Sequence, residues 1–168
     1  MSTTLITGGA VVSTTGAVPM DVLVDGETIA ALYAPGAAAG VTADRTIDAS
    51  GKYVVPGGID VHTHMELPFG GTFASDTFET GTRAAAWGGT TTIIDFAVQT
   101  TGGNVIEALG AWHEKADGNC AIDYGFHQII GGLDDDALKA MDYLVENEGI
   151  TSFKLFMAYP GVLYSDDG

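Results

Sequence analysis

The sequence predicts an α/β protein in two parts: a strand-only region over residues 1–55, and alternating strands and helices over residues 56–168. Three observations lead to this prediction. The first region contains short apolar runs divided by glycines, without helical periodicity. After Pro56, strand-like runs alternate with segments whose apolar residues recur at three- and four-residue spacing. Four such strands alternating with three helices indicate a parallel sheet with helices packed against it.

The strands of the first region are short. We place them at residues 5–6, 10–12, 21–24, 28–32 and 45–48. The pair Asp25-Gly26 is a turn signal that closes a hairpin between the third and fourth of these strands. An Ala- and Gly-rich stretch over residues 34–43 is predicted to be a loop. This organisation predicts part of a small β-sandwich domain.

In the second region, the first helix is predicted to begin with a capping pattern of Asp76 and Glu79. It is predicted to end at Gly88-Gly89, where glycine favours helix termination. An apolar strand over residues 91–96 follows.

The second helix is predicted to begin at Asn104, with Glu107 three residues later. Its apolar face is predicted to comprise Ile106, Leu109, His113 and Ala116. A strand over residues 121–127 follows.

The third helix is predicted to begin in the acidic run 134–136, which suits the positive end of a helix dipole, and to end at Gly149. Its apolar stripe is predicted to comprise Leu138, Met141, Leu144 and Val145. The strand that contains Lys154 is the fourth. Four strands with three helices make half of a TIM-type (β/α)8 barrel, which takes roughly 250 residues when complete. We therefore expect the 168-residue chain to be the truncated front part of a longer protein.

Charge and composition exclude several classes of function. Twenty-two acidic residues against six basic ones give a net charge of −16, which repels nucleic acid and anionic membranes. The sequence shows neither a secretory signal pattern nor an apolar run approaching the roughly 18 residues of a membrane span. The single Cys120 cannot form an internal disulfide and is expected to pack at a strand entrance. These features predict a cytoplasmic protein.

Two histidines mark the start of the second region. The segment 58–64 follows an apolar run and the break Pro56-Gly57, so it is predicted to be a buried strand. Because side chains alternate along a strand, His62 and His64 share one face, with Asp60 beneath them. Two imidazoles so placed can bind one metal ion. Two hydrogen-bonded histidines at a strand end are an equally good interpretation of this motif alone.

Lys154 lies within an apolar strand, where an unpaired ammonium is costly. Three outcomes are open: the side chain extends to solvent, pairs with an acid, or is chemically modified.

Three segments resemble the dihydropyrimidinase and D-hydantoinase family of cyclic amidohydrolases. They are HTHMELPFGGT over residues 62–72, SDTFETGTRAAAWGGTTTIIDF over residues 75–96 and SFKLFMAY over residues 152–159. The resemblance covers essentially the whole chain. It implies a hydrolase that opens dihydropyrimidines or hydantoins to N-carbamoyl amino acids, with the ring (dihydrouracil, dihydrothymine or a hydantoin) left open.

The resemblance also implies a set of site residues. His62, His64 and Lys154 would hold two divalent metal ions, most readily zinc, and Lys154, carboxylated on its amine as N6-carboxylysine, would bridge the two ions. Tyr159, which follows the fourth strand, would hydrogen-bond the developing oxyanion. Packing of Tyr159 on Pro160 is the alternative. The pocket that receives the substrate would be lined by Leu67, Phe69, Phe156 and Tyr159.

Other parts of the expected machinery fall outside this sequence. By resemblance, two further histidine ligands come from the fifth and sixth strands, and an aspartate from a late strand is the general base. A homotetramer is implied in the same way. A non-catalytic scaffold with the same fold is the alternative function, although such relatives lose the metal ligands. The 168 residues alone are expected to be inactive.

Four polar residues receive smaller roles. Asp60 is a candidate partner for a ligand imidazole, and His127 is predicted to be a supporting or structural histidine at the end of the third strand. Gln99 is a candidate for the pocket wall. His113, on a helix, is assigned no chemistry.

Overall fold

The computed structural model describes residues 2–165, which divide into two compact units between Pro56 and Gly57. The predicted regions also include Met1 and residues 166–168, which lie outside the described residues.

The first unit is a five-stranded sheet. Its strands are β1 (Thr3–Ser13), β2 (Gly16–Asp25), β3 (Thr28–Tyr33), β4 (Arg45–Asp48) and β5 (Tyr53–Val54). The sheet order is β3-β2-β1-β4, and β5 also pairs with β1. The predicted hairpin between β2 and β3 is present, and Gly26 adopts the left-handed conformation (φ 59°) that such a turn requires.

Residues 5–6 and 10–12, predicted as two strands, belong to the single strand β1. A β-bulge lies between Ile6 and Gly9, where the pairing with β2 shifts register. Gly8 has a φ of +74°, and its amide donates to the buried Asp21 carboxylate at 2.9 Å. The two glycines resemble a strand boundary in the sequence, but in the fold they allow the strand to kink and continue.

The second unit contains a parallel sheet covered by helices. Its elements are β6 (Gly58–Thr63), β7 (Pro68–Phe69), β8 (Thr72–Phe73), α1 (Phe78–Trp87), β9 (Thr90–Val98), α2 (Val105–Ala116), β10 (Asp123–Ile129), α3 (Asp135–Asn147) and β11 (Phe153–Lys154). The order β11-β10-β9-β6, with every pair parallel, confirms the predicted α/β fold of four strands and three crossover helices. This is the arrangement of the first half of a (β/α)8 barrel.

The short hairpin of β7 and β8 was not predicted. Gly70 and Gly71 connect its strands, and both adopt left-handed conformations (φ 61° and 81°). Two consecutive positive-φ residues form the turn that best matches the twist of a hairpin. The two glycines therefore shape a defined turn.

The predicted start of α1 was wrong by one residue. Thr77 is the N-cap: its hydroxyl accepts from the Thr80 amide, and the Thr80 hydroxyl accepts from the Thr77 amide. Asp76 instead accepts from the Thr80 hydroxyl at 3.2 Å. Asn104 caps α2 as predicted, and its side-chain oxygen Oδ1 accepts from both the Ile106 and Glu107 backbone amides.

The buried faces of two helices also differ from the prediction. On α2 the buried residues are Val105, Leu109, Trp112 and Ala116, whereas the predicted Ile106 is 43% exposed. On α3 they are Ala137, Ala140 and Leu144, whereas Leu138 and Val145 are largely exposed. Leu144 of the predicted stripe lies in the core and Met141 packs against it, so the larger apolar residues identified the buried face of α3 only in part. The small alanines, which let a helix pack closely against its neighbours, complete that face.

The prediction that residues 58–64 form a buried strand was wrong. The sheet order ends at β6, and its residues from Gly58 to His62 are exposed. A strand at the end of a sheet has a partner on one side only. None of the helices in residues 2–165 is both long and apolar enough to cross a membrane.

Candidate metal and substrate site

The ring of Phe96, near the end of β9, brings the candidate metal ligands together. The His62 and His64 ring centres lie 4.6 and 4.9 Å from the Phe96 centre. The Lys154 amine lies 4.4 Å from the same centre. Because β6, β9 and β11 are parallel strands of one sheet, their C-terminal ends meet at one edge. Residues separated by some ninety positions in sequence therefore share one small region.

The two histidines are adjacent and differently solvated. Their ring centres are 5.1 Å apart with an interplanar angle of 85°. Nδ1 of His64 is buried and has no hydrogen-bond partner among the residues that the structure describes. The pKa of His64 lies below its ordinary value, first because the ring is partly buried and next because the Lys154 charge is near. A neutral imidazole with a free lone pair is the form that binds metal.

Lys154 has neither a carboxylate partner nor full exposure to solvent. None of the ion pairs found within residues 2–165 includes it. Its amine lies over two aromatic rings, 4.4 Å from the centre of Phe96 and 4.6 Å from that of Phe156. Of the three outcomes considered for this lysine, pairing with an acid is therefore not observed.

Asp95 supports the chain on both sides of His64. Its buried carboxylate accepts from the Thr63 hydroxyl and the Met65 amide, each at 2.8 Å, and from the Phe96 amide at 2.7 Å. Burial raises the pKa of Asp95, and these hydrogen bonds partly oppose that effect. Sequence reasoning missed this role. A lone carboxylate within the apolar run 91–98 was the available signal.

Among the described residues, the Asp60 carboxylate hydrogen-bonds to the backbone and not to a histidine ring. It accepts from the backbone amide of His62 at 3.1 Å, so the candidate role as partner of a ligand imidazole is wrong. The reason is local: the pairing of β6 with β9 shifts register between Asp60 and Thr63. The His62 amide, lying within this bulge, bonds to the nearby carboxylate.

His127 crosses the sheet above Phe96, with ring centres 4.7 Å apart. Nε2 lies 2.9 Å from the Val61 carbonyl oxygen, and Nδ1 contacts the Ser152 hydroxyl. Because both ring nitrogens have partners, His127 is not available as a metal ligand. These contacts agree with a supporting role.

A cavity of about 270 Å³ is lined by every residue that was predicted to line the substrate pocket. Its walls are His64, Leu67, Phe69, Ile129, Lys154, Phe156, Tyr159 and Leu163. The Tyr159 ring packs against Phe69 and Phe156, with centres 5.1 and 5.8 Å apart. Tyr159 also has a left-handed backbone (φ 65°), which is unusual for a residue with a side chain. The cavity therefore combines an apolar wall with a histidine, an amine and a phenol.

Gln99 does not belong to this cavity. Its side-chain oxygen accepts from the Gly131 and Gly132 amides, and its side-chain amide donates to the Gly103 carbonyl. It joins two loops at the C-terminal ends of β9 and β10, so the proposed pocket role is wrong.

Burial, with a contribution from Asp117, raises the pKa of Cys120 to about 11.

Within residues 2–165, no three His, Cys, Asp or Glu side chains form a group that could hold a metal ion. The candidate set instead comprises two histidines and a lysine, and the lysine needs a carboxylate on its amine before it can act as an anionic ligand.

Comparison with known proteins identifies relatives of the whole chain. Residues 53–127 match the amidohydrolase family. A D-hydantoinase from Streptomyces coelicolor is 63% identical over 169 residues, which cover 99% of this chain and 36% of that protein. A dihydropyrimidinase from Rattus norvegicus is 42% identical, over 97% of this chain and 32% of that protein.

Solved structures show the same similarity. A crystal structure of dihydropyrimidinase from Brevibacillus agri matches with a TM-score of 0.92 and 48% identity, over 98% of this chain and 35% of that chain. The chain thus spans about a third of the length of the curated relatives that it matches.

Proposed function

This chain belongs to the dihydropyrimidinase and D-hydantoinase branch of the amidohydrolase family, and on that premise we propose that a full-length protein containing it hydrolyses cyclic amides. The substrates would be dihydropyrimidines or hydantoins, and the products N-carbamoyl amino acids. The observation that carries the proposal is the convergence of His62, His64 and Lys154 around Phe96, beside the cavity of about 270 Å³.

The residues present suit a metal centre. Nδ1 of His64 is a buried ring nitrogen without a partner among the described residues, and leaving such an atom unsatisfied is costly. A metal ion would satisfy it. His62, His64 and N6-carboxylated Lys154 would hold two divalent ions, and zinc is the metal we propose because imidazole and carboxylate are ligands it accepts. When bound, the ions supply Lewis-acid polarisation of the amide carbonyl and activation of water.

The remaining residues of the cavity would orient the ring. Leu67, Phe69 and Phe156 offer apolar surface to the substrate substituent. The Tyr159 phenol would donate a hydrogen bond to the carbonyl oxygen as negative charge develops there. Water adds to the carbonyl carbon, the ring C–N bond breaks, and the departing nitrogen takes a proton. Residues outside this chain would supply the general base.

Assembly and location are also part of the proposal. We propose a homotetramer in the cytoplasm that acts on a small cyclic amide without nucleic-acid or membrane partners. The support is the net charge of −16, the single cysteine and the family itself.

Ring opening tests the proposal directly. The full-length protein loaded with zinc should consume dihydrouracil, hydantoin or both. The reaction is followed by loss of ring absorbance and by detection of the N-carbamoyl product. The same protein stripped by a chelator is the control. If the metal-loaded protein opens neither ring, the catalytic proposal fails and a non-catalytic scaffold becomes the better interpretation.

A further inference from the structure

The backbone before the two histidines leaves the regular ladder of the sheet. Strand β6 pairs with β9 at Asp60, opposite Ile93, and again at Thr63, opposite Asp95. Two residues of β6, Val61 and His62, therefore face one residue of β9. A bulge of this kind re-aims side chains and leaves backbone groups without ladder partners.

Two side chains supply partners for the backbone of this bulge. The His62 amide donates to the Asp60 carboxylate at 3.1 Å, within the same strand. The Val61 carbonyl oxygen lies 2.9 Å from Nε2 of His127, which belongs to β10. Because β9 separates β10 from β6, the imidazole must pass over Phe96 to reach Val61. This is a long-range contact between strands that do not pair.

The Val61 carbonyl determines that Nε2 of the His127 ring carries a proton. A carbonyl oxygen only accepts, so Nε2 of His127 donates to Val61. In the neutral ring, Nδ1 then carries the lone pair and accepts from the Ser152 hydroxyl. Ser152 precedes Lys154 by two residues, and its own carbonyl accepts from the Gln128 amide at 3.1 Å. One imidazole therefore joins the strand segment of His62 and His64 to the segment of Lys154.

We propose that His127 is a positioning residue, which holds the Val61 carbonyl and the Ser152 hydroxyl and so sets the placement of His62 and His64 relative to Lys154. The inference rests on the proposed function, because the set being positioned is the proposed metal centre. His127 itself touches neither metal nor substrate. Its effect passes through the backbone of the bulge.

Two substitutions separate this role from simple packing. In His127→Gln, the side-chain nitrogen lies as many bonds from Cβ as Nε2 does in histidine, so it can still donate to Val61. In His127→Asn, the amide is one bond shorter and cannot reach Val61. Ser152→Ala removes the hydroxyl that pairs with Nδ1 and so cuts the link to the strand segment of Lys154. His113→Gln, on α2 beside Tyr124, is the matched control for loss of a histidine elsewhere.

The test uses the full-length protein and three measurements. Zinc affinity by chelator competition should fall about 10- to 100-fold in the Asn variant, as is usual when a group that orients metal ligands is lost. The Gln variant should recover most of that loss. The visible absorption of the cobalt(II)-substituted protein should change in the Asn and Ala variants and stay unchanged in His113→Gln. Amide hydrogen exchange over residues 58–66, in metal-free protein, should accelerate in the Asn variant only.

The outcomes distinguish this inference from the proposed function. If Asn and Gln variants show equal zinc affinity, cobalt spectrum and exchange rates, positioning by His127 is wrong even in an active enzyme. If the unmodified protein neither binds zinc nor opens rings, the proposed function fails. The exchange measurement on metal-free protein still decides whether His127 holds the bulge.

Discussion

The amine of Lys154 lies 4.4 Å from the centre of the Phe96 ring, which the rings of His62 and His64 also contact. A cation above an aromatic face is attracted by the negative charge of that face. A carboxylated lysine is an anion and loses this attraction. Carboxylation is therefore expected to accompany metal binding, because the ions replace the favourable partner that the modified side chain has lost.

Lys154→Ala should lose metal and activity together in the full-length protein, since the bridge between the two proposed ions is removed. Metal content by atomic absorption and ring opening of dihydrouracil measure the two effects. Added short-chain carboxylic acids should restore part of both. Lys139→Ala, which removes an exposed lysine on α3, is the control. Retention of full activity with an unmodified lysine at position 154 would disprove the bridging role.

Phe96→Ala should destabilise the protein by about 3–5 kcal/mol, because it removes a ring that is 95% buried and leaves a cavity. The His62 and His64 rings and the Lys154 amine would also lose their common surface. Urea unfolding measures the first effect and zinc titration the second. Phe69→Ala, in the exposed hairpin, should cost far less stability. Equal destabilisation by the two variants would contradict the central position given to Phe96.

Asp95→Asn should lower stability by about 1–3 kcal/mol. An asparagine side chain replaces one acceptor oxygen with a donor, so at least one of the three donors now bonded to Asp95 loses its partner. Asp123→Asn, at an exposed position on β10, is the control and should be close to neutral. Thermal unfolding compares the two. If Asp95→Asn is as stable as the unmodified protein, the hydrogen bonds from Asp95 to Thr63 and Met65 do not stabilise the chain around His64.

Cys120 should react slowly with thiol reagents. Raising a thiol pKa from 9.0 to about 11 reduces the thiolate fraction near neutral pH about 100-fold, and the thiolate is the reactive form. The rate of alkylation in folded protein should rise with pH until about 11. Protein unfolded in urea is the control and should react with an ordinary pH profile. Fast reaction of the folded protein at pH 7 would show that the thiol is not shielded.

Residues 1–168 alone should be inactive and should self-associate. Strand β6 ends the sheet order, and Ile59, Val61, Leu155 and Met157 are at least half exposed. Exposed strand edges and apolar side chains favour association between chains. Weak zinc binding through His62 and His64 is expected. Sedimentation, zinc titration and a dihydrouracil assay test these points, and a monomer with tight binding of two ions and turnover would contradict them.

The main site was predicted from the family resemblance, which joined residues 62–64 to Lys154. The structure brings these residues together around Phe96, because parallel strands place their C-terminal ends at one edge of the sheet. The start of α1 was ambiguous, since Asp76 and Thr77 are both good N-caps with a polar residue three positions later. Local rules alone do not choose between them.

The role of His127 could not be derived from sequence to the same depth. It depends on the bulge between Asp60 and Thr63, which moves a carbonyl into reach, and no residue in that segment signals a bulge. The exposure of β6 was missed for a related reason. The apolar run before Pro56 favours a buried strand after it, but the actual burial of β6 depends on which elements lie beside it.

The left-handed backbone of Tyr159 implies that the residue best for stability and the residue best for catalysis differ at this position. A non-glycine residue in that region costs about 1–2 kcal/mol. Tyr159→Gly would relieve this strain but delete the phenol, so selection for thermal resistance and selection for turnover would favour different residues at one position. Directed evolution of a full-length protein for heat tolerance alone should therefore accumulate glycine or asparagine at 159, whereas selection that also demands ring opening should retain tyrosine.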